Sequence, residues 1–414
     1  MIVFTNADIF DGSSKDLLRG KSVVVADGKI KDVSDAPIED PNATVIDCGG
    51  RVLMPGMIDA HIHAYFQDVN MNRLQRLPAT MYAHHAANIL RDMLDRGFTS
   101  VRDTGGADFG LWLAIDRRLI TAPRLYYCEK ALSQTGGHID MRHHLDYSQQ
   151  DNEAVMCGCC FTNPLGVIVD GVDVVRRVIR EQLRRGASFI KFCGSGGISS
   201  VSDPLDGIQF SRDEVRAIVE EVENHHVYCT AHVHPDQGIK RVIELGVHGV
   251  EHGTLIEADT ANMAADKGTY IVPTLAVIFG MADEGEAMGL PRESLAKLEL
   301  IADQAIDRLN HMKRAGVRVG FGTDLIGDLH PRQCTEFGLR SSVFSNLELL
   351  NQVTAMNGEI VGQKDKIGVI KPGALADILV VDGNPMEDID LLARDGEGLS
   401  VIMKDGEFHK NLLS

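Results

Sequence analysis

The run Asp59-Ala-His61-Ile-His63 places two imidazoles two residues apart. On a β-strand such side chains share one face, so His61 and His63 can point together at one metal ion. Other groups able to hold a divalent ion close short apolar runs further along: Lys191 in FIKFCGSGG, His232 and His234 in AHVH, His252 in VEHG and Asp324 in GTD. Imidazole and carboxylate ligands suit zinc or a similar ion. Each histidine alone reads equally as a hydrogen-bonded core residue or a surface residue. Their joint occurrence at strand ends is much less expected by chance. Lys191 is a separate case, because an ammonium cannot bind metal and a lysine is rarely buried unpaired. A buried lysine shifts its pKa readily, and the neutral amine can add carbon dioxide to give a carbamate able to bridge two ions. A lysine reaching the strand end to find solvent, or pairing with Asp, is the plain alternative.

Other motifs read more quietly. Asp59 shares the face of His61 and His63 and suits a role orienting a ligand. Arg102 and Asp103 read as a structural ion pair. Cys157, Cys159 and Cys160 form CGCC, but no second cysteine pair stands at finger spacing, so loop thiols are expected. The pairs His84-His85, His143-His144 and His225-His226 have diverging side chains, and the last suits the end of a helix. GSGGISSVSDP lacks the lysine of a phosphate loop and reads as a loop over the site. Neither a Ser-His-Asp set nor GxSxG is present to support an acyl-enzyme.

Positioning these groups requires a particular scaffold. The middle of the chain alternates apolar runs with helical patterns. The runs are VLMPGMIDAHIHA, FTSVRDTGG, RLYYCEKALS, ASFIKFCGSGG, VYCTAHVH, HGVEHGT, YIVPTLAV and VRVGFGTD. Between two of them, SRDEVRAIVEEVENHH carries a Ser211–Glu214 capping box and an apolar stripe of Val215, Ile218, Val219 and Val222. Another helix is PRESLAKLELIADQAIDRLNHMKRAG. Eight alternations predict an α/β chain with a (β/α)8 TIM-like barrel at 56–365, whose active site sits at the C-terminal strand ends. Both chain ends are rich in β-branched runs broken by Asp-Gly and Gly-Gly. They predict a small composite β-sandwich domain of 1–55 plus 366–414.

The 414 residues carry 41 Lys+Arg against 59 Asp+Glu, a net charge of −18. Such acidity argues against nucleic acid or an anionic membrane as partner. No apolar run reaches the roughly 20 residues of a membrane span. The N-terminal run has no basic region followed by an apolar one, so no secretion signal is read. The eight cysteines are expected reduced, in the cytoplasm.

PGMIDAHIH, Lys191, His232, His252, the GTD at Asp324 and the tail KPGALADILVVDGNP together resemble the amidohydrolase superfamily. FTSVRDTGGAD, ALSQTGGHID, CGCC, VVDGVDVVR and VPTLAV more narrowly resemble its prolidase-like branch of Xaa-Pro dipeptidases, related to imidazolonepropionase-type enzymes. The resemblance implies two divalent metal ions, zinc foremost. His61, His63 and Asp324 would hold one, His232 and His252 the other, with carbon dioxide bound as a Lys191 carbamate between them. It implies hydrolysis of a small peptide, L-Xaa-L-Pro first, by a metal-bridging hydroxide with Asp324 as general base. His138 would contact the carbonyl or the developing oxyanion. By its place four residues before His232, on the same face, Tyr228 is a candidate to bind the substrate's α-carboxylate, with His234 or an Arg nearby; ordinary packing is the alternative for Tyr228. A homo-oligomer such as an octamer is implied too. Three alternatives stay open: other C-terminal residues (Arg or Lys) or N-acyl amino acids, a mononuclear imidazolone-type ring hydrolase, and a non-catalytic binding scaffold.

Overall fold

The computed structural model describes residues 1–35, 41–74, 77–141, 165–200 and 203–413. Two kinds of sheet make up the chain. One is an eight-stranded sheet drawn from both ends. Its N-terminal strands include Ile2–Ile9, Leu18–Ala26 and Val52–Pro55. Its C-terminal strands are Ile378–Val381, Leu399–Lys404 and Glu407–Asn411. The ends meet where Val52–Pro55 pairs antiparallel with Ile378–Val381, Val52 facing Val381. Phe4, Ile9, Val23, Leu53, Ile378, Val380 and Val401 form one buried cluster on this sheet. Two of its hairpins turn on Asp-Gly. Asp27 and Gly28 have φ of 53° and 72°, and Asp405 and Gly406 have 51° and 77°. A two-residue turn with positive φ at both positions matches the twist of paired strands, which is why Asp-Gly marks it.

The remaining strands are paired in parallel. Met57–Ile62, Phe98–Asp103 and Arg124–Tyr127 form a three-stranded sheet. A seven-stranded sheet runs through Ile190–Cys193, Cys229–Pro235, Gly249–Leu255, Tyr270–Val272 and Arg318–Val319. The two sheets touch where the Ala60 N–H donates to the Phe321 carbonyl at 2.9 Å. Every apolar run of the middle contains a strand, and RLYYCEKALS contains two, Arg124–Tyr127 and Ala131–Ser133, in different sheets. Two further features differ from expectation. VLMPGMIDAHIHA divides at Gly56, and its first part joins the sheet of the chain ends. Gly166–Ile168 adds an unexpected strand beside Ala131–Ser133.

Helices separate the parallel strands as the periodicity predicts. Arg212–Asn224 begins with the reciprocal Ser211–Glu214 capping box and buries Val215, Ile218, Val219 and Val222. Arg292–Ala315 ends at left-handed Gly316. Strands and helices share one large core, in which Phe98, Phe192, Phe321 and Phe337 are fully buried. Among the described residues, no helix is long and apolar enough to cross a membrane.

Candidate metal centre and active site

The strand Met57–Ile62 aims Asp59 and His61 inward, and His63 follows at its end. Asp324 meets them from the loop after Arg318–Val319, its N–H donating to the His61 carbonyl at 2.8 Å. Asp324 Oδ1 lies 3.3 Å from His61 Nε2 and 3.2 Å from His63 Nε2. Tetrahedral ligands about 2.0–2.1 Å from a zinc ion stand about 3.3 Å from one another, so the spacing fits a metal. The other ring nitrogens are occupied. His61 Nδ1 donates to Glu251 Oε2 at 2.6 Å and His63 Nδ1 to the Gly105 carbonyl at 2.8 Å. That pattern fixes the ring and turns Nε2 toward the ion. His61 Nε2 is buried without a hydrogen-bond partner, as a ligand atom awaiting a cation would be. Burial pushes the Asp324 carboxyl up, but His61 and His63 outweigh it and hold it well below the usual carboxylate range.

A second group adjoins the first. His232 and His234 alternate along Cys229–Pro235, and His252 comes from Gly249–Leu255. These three buried imidazoles bring ligand atoms within 4.8 Å of one another. Asp324 Oδ2 stands 3.9 Å from His252 Nδ1, so this carboxylate faces both groups. Burial pushes His232 and His252 well below the usual imidazole range and His234 to about 3, leaving neutral rings with lone pairs to give. Glu251 and His252 are adjacent, yet both point into the interior. His252 has φ +71°, which breaks the strand's alternation; strained backbone of this kind collects at functional sites. Lys191 is 3% exposed on Ile190–Cys193. No carboxylate lies within ion-pair distance of it among the described residues, so none of these is the Asp partner of the plain alternative.

His138 lies against the second group, its ring stacked on His232 at 4.1 Å. Its N–H donates to Gln209 Oε1 at 3.0 Å, and its Nδ1 is 2.9 Å from Ser200 Oγ. Burial lowers its pKa to about 4, against the pull of Asp203. Ser200 donates to Asp203, and Gln209 Nε2 donates to the same carboxylate at 3.0 Å. Lys297, from the helix Arg292–Ala315, donates to the carbonyls of Gly197, Ser200 and Asp203. Gly197 is required here: a Cβ would sit 2.2 Å from the His138 ring.

The structure corrects some expectations. Tyr228 shares a face with His232 but not an end. Four residues span about 13 Å of strand, and Tyr228 stacks on Phe189 beside a separate cavity with Arg102, His248 and Tyr270. It therefore stands away from the histidines. His234 joins the imidazole group. Arg102 and Asp103 do not pair, because neighbours on a strand point to opposite faces. Arg102 binds Glu251 at 2.6 Å, while Asp103 accepts the N–H groups of Ala64, Gly105 and Ala107. Asp59 touches no ring among the described residues, accepting from the backbone N–H groups of His61 and Thr323 and from the Thr323 and Gln333 side chains. His225 closes its helix by donating to the Glu221 carbonyl. CGCC and His143-His144 lie outside the described residues. Gln209 and Lys297 carried no sequence signal, and Glu251 none beyond its nearness to His252; Ser200 and Asp203 lie in GSGGISSVSDP, the run read as a loop over the site.

His61, His63, His138, Lys191, His232, His234, His252 and Asp324 line a single cavity. Its remaining wall is largely apolar, including Phe66, Ile139, Ile198, Val277, Met281 and Ile326. Among the described lining residues there is no arginine and no carboxylate besides Asp324.

The chain matches the amidohydrolase family over residues 52–407. Ochratoxinase of Aspergillus niger is 32% identical over 404 residues, covering 95% of this chain and 83% of that protein. The crystal structure of an amidohydrolase superposes with a TM-score of 0.96 at 43% identity, covering 100% of both chains. That of a prolidase complexed with N-methylphosphonate-L-proline superposes with a TM-score of 0.95 at 39% identity, covering 99% of each. Since the match spans both the parallel strands and the histidines at their ends, this chain belongs to the amidohydrolase family.

Proposed function

We propose that the protein is a two-metal dipeptidase that hydrolyses L-Xaa-L-Pro. The observation that carries the reading is Asp324 set between two histidine groups, 3.2–3.3 Å from one and 3.9 Å from the other, with Lys191, which meets no carboxylate among the described residues, lining the same cavity. In this reading the two parallel sheets form one closed (β/α)8 barrel at 56–365, and 1–55 plus 366–414 form the smaller domain. His61, His63 and Asp324 would hold one ion and His232 and His252 the other, with Lys191 as a carbamate supplying a further ligand. Such a pair of ions lowers the pKa of water and polarises a carbonyl.

The chain's own groups do the rest. Asp324, held ionised, takes the proton from the attacking water and delivers it to the departing nitrogen. His138, seated by Ser200 and Gln209, contacts an oxygen of the substrate. The apolar wall excludes water and receives uncharged side chains. A basic C-terminal side chain finds no matching carboxylate among the described lining residues. Likeness to a prolidase that binds a proline phosphonate supports the choice of Xaa-Pro.

Likeness to ochratoxinase, an amide hydrolase, favours a second reading in which the same centre cleaves an N-acyl amino acid. Amino-acid release from L-Xaa-L-Pro, L-Xaa-L-Arg and N-acyl amino acids by zinc-loaded protein separates these readings. Proline release that dominates the panel is expected. Release confined to the N-acyl series would replace the first reading with the second. Asp324→Asn is expected to lower kcat by several orders of magnitude.

A further inference from the structure

The two His-x-His pairs of this chain are built alike. His61 and His63 converge with Asp324; His232 and His234 converge with His252. His232 and His234 meet edge-on with ring centroids 4.7 Å apart, and His234 stacks on His252 at 5.0 Å. Two of these three rings have already committed one nitrogen. His234 Nδ1 lies 2.7 Å from Thr254 Oγ1, and His252 Nδ1 lies 2.8 Å from Thr274 Oγ1. A metal-ligating imidazole almost always uses its second nitrogen in this way, which leaves Nε2 of each ring for an ion. The third ring, His232, has a buried Nε2 with no hydrogen-bond partner. A buried polar atom left unpaired is costly, and a cation shared by the three rings would satisfy it.

We propose that His234 is a third imidazole ligand of the second metal ion, beside His232 and His252, rather than a group that only touches substrate. The proposal rests on the two-metal reading above. Its consequence is that three neutral donors retain the second ion even when Lys191 carries no carbamate.

The test is metal content and affinity, not turnover. Wild type, His234→Ala and Lys191→Ala are equilibrated against buffered free zinc, and bound metal is measured per chain. Two ions are expected in wild type, and a second ion bound at least about tenfold more weakly in His234→Ala. Lys191→Ala is expected to keep its second ion. An unchanged second affinity in His234→Ala overturns the proposal, as does loss of the second ion from Lys191→Ala alone. Fewer than two ions in wild type would instead remove the two-metal reading. Should His234→Ala fail to fold, Thr254→Val keeps the imidazole and removes its anchor. It is expected to weaken the second ion and to alter the visible spectrum of the cobalt-loaded protein; no change in either would count against the ligand role.

Discussion

Glu251 is fully buried and accepts from three side chains: His61 Nδ1 at 2.6 Å, Arg102 at 2.6 Å and Thr230 Oγ1 at 2.5 Å. Burial raises its carboxyl, but Arg102 and His61 outweigh that and hold it far below the usual range. It is thus a fixed anion that sets which nitrogen of His61 carries the proton. Glu251→Gln preserves the shape but turns one amide hydrogen pair toward a donor. Metal affinity is expected to fall about 10–100-fold, measured by competition with a chromogenic chelator. Retention of wild-type affinity would reduce Glu251 to a packing role. From sequence, strand alternation would have pointed Glu251 away from His252; the left-handed backbone of His252 is what brings both inside.

Between elements, Lys297 is the clearest long-range determinant of the site. Its ammonium spends its donors on three carbonyls of the segment that seats His138. Lys297→Met leaves those carbonyls unpaired and frees Ser200 and Asp203 to shift. A several-fold rise in KM is expected with metal content unchanged, and faster amide exchange at 194–200. Lys297→Arg is not expected to restore the parent values, because a planar guanidinium cannot converge on three carbonyls as an ammonium does. Another inter-helix tie has a pH signature. Arg176 and Arg180, on Val172–Arg184, both bind Glu221 on Arg212–Asn224. Arg180 first, then Arg176, overcomes the effect of burial and brings Glu221 down to about 2 from its ordinary 4.5. A carboxyl depressed in the folded state binds its proton more weakly there than in the unfolded chain. Its stabilisation is present above about pH 4.5 and is lost as pH falls toward 2. Glu221→Gln is expected to be less stable than wild type at neutral pH and to converge with it near pH 2, in urea titrations across that range.

For the whole molecule, the join between the sheet of the chain ends and the parallel strands is partly electrostatic. Arg124 begins a parallel strand and binds Asp377 at 2.5 Å and also Asp405, both from the C-terminal region. Asp377 is 2% exposed. Arg124→Ala would leave that charge buried and uncompensated, at a cost of about 3–5 kcal/mol, read as a shift in the urea midpoint. Removing bound metal with a chelator is expected to lower Tm. Ions held only by the folded chain add about 4 kcal/mol when free metal is a thousandfold above Kd.

Local chemistry made much of this legible in the sequence. Asp-Gly turns, the Ser211–Glu214 box, the apolar stripe at 215–222 and the His-x-His spacings depend on residues within a few positions of one another, where φ/ψ preference and periodicity decide the outcome. The parallel strands followed from the same rules, and so did the shared face of His61 and His63; that Asp324 joins them was implied by the family resemblance and not by spacing. Tertiary structure alone decided the rest. It set the Tyr228 ring at the wrong end of its strand, gave Arg102 to Glu251 instead of Asp103, drew His234 into the imidazole group and brought Lys297 across to a loop about a hundred residues away. Those contacts depend on which strand end, which face and which neighbouring chain segment a side chain meets, and short-range periodicity carries no information about any of the three.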